Sequence, residues 1–151
     1  MHEPAMTFDG VVLSPQKEVV RIFFKEMWDK PDKSLIPSIF HSDFTFRGSL
    51  GSVLQGHEQF AGYVDLVNRT LRQNTNDILD MVEEGNKVYA KLRYHGYHIG
   101  ELLGFPPTGQ HVWWYGTPLF TFDGPKVRDL WVLGDLHGLR AMLTSQSSRS
   151  D

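Results

Sequence analysis

A chain of 151 residues, 40% of them hydrophobic, is long enough for one domain with a substantial core. Its net charge of −3 and pI near 6.1 offer no basic footprint, which argues against nucleic acid as a partner. The absence of cysteine excludes disulfides, thiolate nucleophiles and cysteine-based zinc sites, and fits a reducing compartment.

Residues 1–13 read as a flexible N-terminal arm without the basic start and apolar core of a signal peptide. No run approaches the roughly 20 apolar residues of a membrane helix, so a soluble, cytoplasmic protein with no membrane partner is expected. Ser14-Pro15 is a helix start: serine at the N-cap, proline where its missing N–H costs nothing. Val19, Val20, Ile22, Phe23 and Met27 recur near helical spacing, which predicts an amphipathic helix over 15–29, widened by Phe24 and Trp28. Lys30-Pro31-Asp32 breaks it, and a short helix is expected over 33–40. Asp43–Arg47 alternates like a strand, and Gly48–Ser52 is a flexible loop. Phe60, Tyr63, Val64, Val67 and Leu71 form one stripe of a helix over 57–72.

Residues 78–84 are strand-like, and Gly85-Asn86 turns the chain into a long strand over 87–98, a hairpin. On that strand Val88, Ala90, Leu92, Tyr94, Gly96 and His98 share one parity, while Lys87, Tyr89, Lys91, Arg93, His95 and Tyr97 share the other. Side chains alternate faces with a period of two, so His98 and Tyr94 point toward the core and His95 away. A loop with Pro106, Pro107 and the hinge glycines Gly100, Gly104 and Gly109 follows. A second long strand over 110–122 carries Trp113-Trp114-Tyr115 and Pro118, and a last strand over 126–135 leads to a closing helix over 136–143. The Ser-rich end, 144–151, is expected to be disordered. Helices followed by antiparallel strands read as α+β, a single domain over 14–143 with a curved sheet wrapped around the N-terminal helices into a cone.

His98-x-Gly100-x-x-x-Gly104-x-Pro106-Pro107-Thr108-Gly109-x-x-Val112, then Phe120, the turn at Asp123-Gly124, Lys126-Val127, Trp131 and Asp135-x-x-Gly138-Leu139, resembles the SnoaL-like polyketide cyclases, also called ester cyclases. These belong to the nuclear transport factor superfamily of cone-shaped α+β folds. The likeness spans roughly Ser14 to Leu143, with the helices matching by pattern alone. It implies a cofactor-independent aldol closure of a polyketide ester, with Asp135 as general acid–base and no metal. Three positions depart from the family pattern. Trp113-Trp114-Tyr115 replaces a more polar run, Pro118 stands where an acid is common, and Thr121 replaces a familiar arginine.

By parity, Val127, Asp129, Trp131, Leu133 and Asp135 share a face of the last strand. A carboxylate on an apolar wall has its pKa raised and becomes competent to take a proton next to a carbonyl. With what the resemblance implies added to this placement, Asp135 is expected to be catalytic, the alternative being that it caps the helix at Leu136. His98 is expected to hydrogen-bond a substrate carbonyl or hold Asp135, against a buried histidine bonded within the Gly/Pro loop. Tyr94, Trp131, Phe46, Trp28, Trp114, Tyr63 and Leu133 are expected to line the cavity around a small, apolar, carbonyl-bearing substrate. Asp129 is read as a surface acid, and Tyr94 as core with its hydroxyl near the cavity.

His95 and His98 lie on opposite faces and cannot share an ion. His57-Glu58 lacks the second histidine of a zinc helix, and no Gly-x-Ser-x-Gly elbow exists. The alternation of Trp113, Trp114 and Tyr115 leaves one ring free for a subunit interface, and the resemblance to cone folds that pair through the outer sheet face implies a homodimer or larger homo-oligomer. Competing readings are an epoxide hydrolase of the same fold, disfavoured by the parity of Arg128, a non-catalytic binding or dimerisation module, and a cone filled by its own rings.

Overall fold

In the computed structural model, residues 3–149 are described, so Met1, His2, Ser150 and Asp151 of the expected arm and tail lie outside the described residues. Helix α1 (Pro15–Ile22) starts where the serine and proline predicted, with Ser14 Oγ accepting from Lys17 N at 3.2 Å. It passes directly into a π-helical turn, Phe23–Trp28, marked by Asp29 N bonding Phe24 O. This turn buries Phe23, Phe24, Met27 and Trp28 together, the face that the helical spacing predicted. A 3₁₀ turn (Lys33–Leu35) and the short α2 (Ile36–Ile39) lead into β1 (Phe40–Arg47). Then follow β2 (Val53–Gln55), α3 (Gly56–Thr70), β3 (Leu71–Glu84), β4 (Lys87–His98), β5 (His111–Asp123), β6 (Lys126–Gly134) and α4 (Leu136–Arg149).

The six strands form one sheet in the order β2-β1-β6-β5-β4-β3. The α+β reading holds, with one refinement: β1 runs parallel to β6, while every other neighbouring pair is antiparallel. Bulges in β3 and β6 bend the sheet around the helices. On the enclosed side sit rings from the π turn, β1 and α3, centred on Phe60, which is fully buried. The hairpin turn at Gly85-Asn86 is as expected, with Glu84 opposite Lys87. Strand β3 begins seven residues before the expected Ile78, directly at the end of α3, and β2 was not anticipated.

Two expected boundaries move for the same physical reason, that free strand edges need cover. Strand β3 is an edge, and the arm read as flexible lies against it: Met6 N donates to Ile78 O at 2.8 Å. Arg93 Nη1 reaches the Glu3 carbonyl at 2.6 Å, and Met6, Phe8 and Leu13 pack on the core. At the other end, β6 stops at Gly134, leaving the first half of β5 unpaired on that side. Helix α4 covers this gap. Trp113 N donates to Met142 Sδ at 3.4 Å and Gln146 Nε2 to His111 O at 2.8 Å, so the helix runs on to Arg149 through the segment read as disordered.

Candidate functional site

Between the helices and the concave side of the sheet lies a cavity of about 260 Å³. Its floor is a row of inward-facing side chains on three adjacent strands. Asn76 of β3 pairs with Tyr94 of β4, and Tyr94 pairs with Trp114 of β5. Phe46, Leu130 and Val132 continue the wall, and Phe23, Phe24, Trp28, Tyr63, Leu66 and Val67 close it from the helices. Ser49, Leu50 and Ser52 of the loop after β1 and Glu101, Leu102 and Leu103 of the loop after β4 form the rim.

Of the expected lining residues, Tyr94, Phe46, Trp28, Trp114 and Tyr63 are here. Trp131 and Leu133 are not: they are 42% and 51% exposed on the opposite face, with the Arg47 guanidinium 5.5 Å from the Trp131 ring. The reason is a β-bulge. Val127 lies opposite Phe122 and Asp129 opposite Thr121, so Arg128 is an extra residue that switches the parity of everything after it. Leu130 and Val132 therefore face inward and the odd-numbered residues outward.

Asp135 follows the same correction. It is exposed, outside the cavity, and its Oδ1 accepts from Gly138 N at 2.9 Å at the start of α4. It is the N-cap of that helix, a role of about 1 kcal/mol. His98 is fully buried but also absent from the cavity wall. Its Nδ1 lies 3.2 Å from Thr108 Oγ1, and its backbone exchanges bonds with Gly109 N and Gln110 O, which closes the Gly/Pro loop. Nε2 has no hydrogen bond of good geometry, although the backbone of Gly100 and Phe105 is close enough to favour a charged ring. Burial outweighs that and pushes the imidazole below its ordinary value, so it stays neutral at neutral pH. The ring braces the loop from behind; Glu101, Leu102 and Leu103 of that loop are what reach the cavity. Asp129 accepts from Thr45 Oγ1 at 2.5 Å on the outer side, as a surface acid would.

The electrostatics of the cavity favour neutral donors. Burial raises the Tyr94 phenol far above its usual value, and pushes Tyr63 up to about 12 despite hydrogen bonds with Ser49 and the Leu50 backbone. Among the described residues, neither Trp114 Nε1 nor the Tyr94 hydroxyl has a hydrogen-bond partner. A buried, unbonded N–H is unfavourable by about 1–3 kcal/mol, so such a group asks for an acceptor from outside the chain. The cavity wall carries one carboxylate, Glu101, exposed at the rim. The inward faces of β5 and β6 carry none, and Pro118 is buried on the inward face of β5.

Sequence reasoning missed Asn74 and Asn76 because 73–77 fell between the expected helix over 57–72 and the expected strand over 78–84. The signal was there: Asn76 and Ile78 share a parity, and only the Gln73-Asn74 bulge, with Gln73 at φ 55°, hid the strand. Among the described residues no group of three or more histidine or acidic side chains could hold a metal ion, and no helix is long and apolar enough to cross a membrane.

A family model described as SnoaL-like polyketide cyclase matches residues 18–143. Among solved structures, TsrD from Streptomyces laurentii superposes with a TM-score of 0.77 at 20% identity, covering 87% of this chain and 98% of that one. A provisionally named SnoaL-like polyketide cyclase from Jannaschia sp. CCS1 gives 0.77 at 22% identity, covering 85% and 91%. A SnoaL-like polyketide cyclase from Agrobacterium tumefaciens gives 0.73 at 10% identity, covering 87% and 99%. At these identities the superpositions speak for the fold alone. No curated protein matches the chain.

Proposed function

Because the chain belongs to the SnoaL-like polyketide cyclase family, we propose that its cavity binds an apolar, carbonyl-bearing small molecule and polarises the carbonyl through Tyr94 and Trp114. The observation that carries this reading is the pair of unbonded donors on an apolar wall. Both are neutral and both are held by strand pairing. Donors aimed at a carbonyl oxygen also stabilise the enolate formed when a neighbouring proton leaves. An aldol closure or isomerisation needs a base as well, and Glu101 is the carboxylate placed to act from the rim. Asp135, turned outward as a helix cap, has no part in it.

The test uses 1-tetralone, an apolar bicyclic ketone, with Trp28 and Trp114 as fluorescent reporters of binding. Tyr94→Phe and Trp114→Phe should each weaken binding by roughly three- to ten-fold, the worth of one hydrogen bond. Incorporation of deuterium next to the carbonyl, followed by NMR, should fall about 100-fold in Glu101→Gln and stay unchanged in Asp135→Asn. Binding that ignores both aromatic substitutions removes the reading; exchange lost in Asp135→Asn restores the acid that the fold places outside.

The expected pairing of two copies belongs to the same proposal. Trp131 and Leu133 are exposed on the outer face, beside the half-buried Trp113, Tyr115 and Leu119. Sedimentation velocity should show a dimer that Trp131→Glu dissociates, and a wild-type monomer at tens of micromolar would rule the pairing out.

A further inference from the structure

Asn76 is polar, 4% exposed and set at the end of the same cross-strand row as Tyr94 and Trp114. Its orientation is dictated by a charge behind the wall. Asp29 Oδ1 accepts from Asn76 N at 2.9 Å and from Asn76 Nδ2 at 3.0 Å. The other oxygen of Asp29 is paired with Lys25 Nζ at 2.6 Å, and Lys25 also donates to the Asn76 carbonyl at 2.9 Å. A carboxylate at neutral pH only accepts, so the amide must turn its NH₂ end toward Asp29. That leaves Oδ1 as the amide's free end. Among the described residues nothing donates to Oδ1, and Asn76 lines the cavity.

Read from β5 to β3, the floor presents a group that only donates, a phenol that donates or accepts, and a group fixed to accept. Neighbouring strands lie about 4.8 Å apart, so the row spans roughly 10 Å at the backbone. Resting on the binding reading above, we propose that this row selects ligands carrying a hydroxyl or N–H donor at the end opposite the carbonyl, and that Asp29 is the positioning residue that sets the preference. A hydroxy-ketone satisfies both ends of the row. A ketone with an ether in place of the hydroxyl leaves Oδ1 facing a second acceptor, a desolvated group without a partner.

The experiment compares 6-hydroxy-1-tetralone, 6-methoxy-1-tetralone and 1-tetralone on the full chain by tryptophan quenching. Wild type should bind the hydroxy-ketone about ten-fold tighter than either of the others. Asn76→Leu should bind all three within about two-fold of one another, and the backbone N–H of residue 76 and Lys25 still satisfy Asp29 in that variant. Asp29→Asn, which frees the amide to turn over, should shrink the preference and raise the affinity of the methoxy compound above its wild-type value. Circular dichroism on each variant guards against misfolding, and the wild-type comparison needs no variant at all. Equal binding of all three ketones by wild type, or a preference that survives in Asn76→Leu, overturns this inference and leaves the carbonyl-binding reading intact. Failure to bind any of the three overturns both.

Discussion

Replacing Phe60 with alanine is expected to lower stability by about 4 kcal/mol, the range for a fully buried aromatic truncated to a cavity. The ring of Phe60 has centroid distances of 4.9 Å to Phe46, 5.3 Å to Phe40, 5.6 Å to Phe44 and 5.9 Å to Phe23. Trp28 and Tyr63 stand at 6.1 and 6.4 Å. These neighbours belong to different elements, so no single shift can close the void that the substitution opens. Phe46, Trp28, Tyr63 and Phe23 are also walls of the cavity, which means the loss of stability should carry a loss of 1-tetralone binding with it. Urea denaturation with Phe60→Leu as the milder partner is the measurement. Leucine should lose clearly less than alanine, and a loss below about 1 kcal/mol in Phe60→Ala would show that the ring cluster does not organise the core.

Gly116→Ala should lower stability by about 2 kcal/mol and weaken ligand binding beyond what Tyr94→Phe does. Gly116 has an ordinary backbone; what it lacks is space. A methyl group there would overlap Tyr94 Cε2 and stand 2.8 Å from both Cζ and the hydroxyl oxygen. Tyr94 is 7% exposed and packed against Trp114 at 5.4 Å between ring centres, so its ring yields into the cavity that it lines. The substitution therefore displaces the phenol from the row that Asn76, Tyr94 and Trp114 form. A double-mutant cycle separates the clash from backbone effects. Combined with Tyr94→Leu, the alanine should cost far less than it does alone, because the two changes share one contact. Full additivity of the two losses would mean that the ring is not what glycine makes room for.

The long strand β4 was legible residue by residue, because its two parities differ sharply in polarity and no bulge interrupts it. That legibility placed Tyr94 on the cavity floor and aimed His98 inward. Strand β6 was not legible in the same way. Leu130, Trp131, Val132 and Leu133 are apolar on both parities, so the pattern cannot say which pair faces in. The extra residue at Arg128 then reverses the assignment, and with it Trp131, Leu133 and Asp135 leave the cavity together. The adjacent polar pair Arg128-Asp129 was the one local hint of a bulge.

The ends of the chain show the same limit. A polar, serine-rich segment reads as disordered when taken alone, yet α4 continues to Arg149 because β5 offers an uncovered edge after β6 has stopped. The arm before Ser14 is held by Ile78 and Arg93, residues that no local pattern connects to it.

By itself the amino-acid sequence determined the α+β class, the hairpin at Gly85-Asn86 and the start of α1, because periodicity, capping and turn chemistry act over a few residues, and its motifs carried the resemblance to the family. It also placed most of the aromatic lining, since alternation on an uninterrupted strand is a local property. Tertiary structure alone decided which acid meets the cavity and which only caps a helix. That depends on one inserted residue in β6, on strand edges seeking cover, and on a carboxylate at Asp29 that reaches a side chain far along the chain at Asn76.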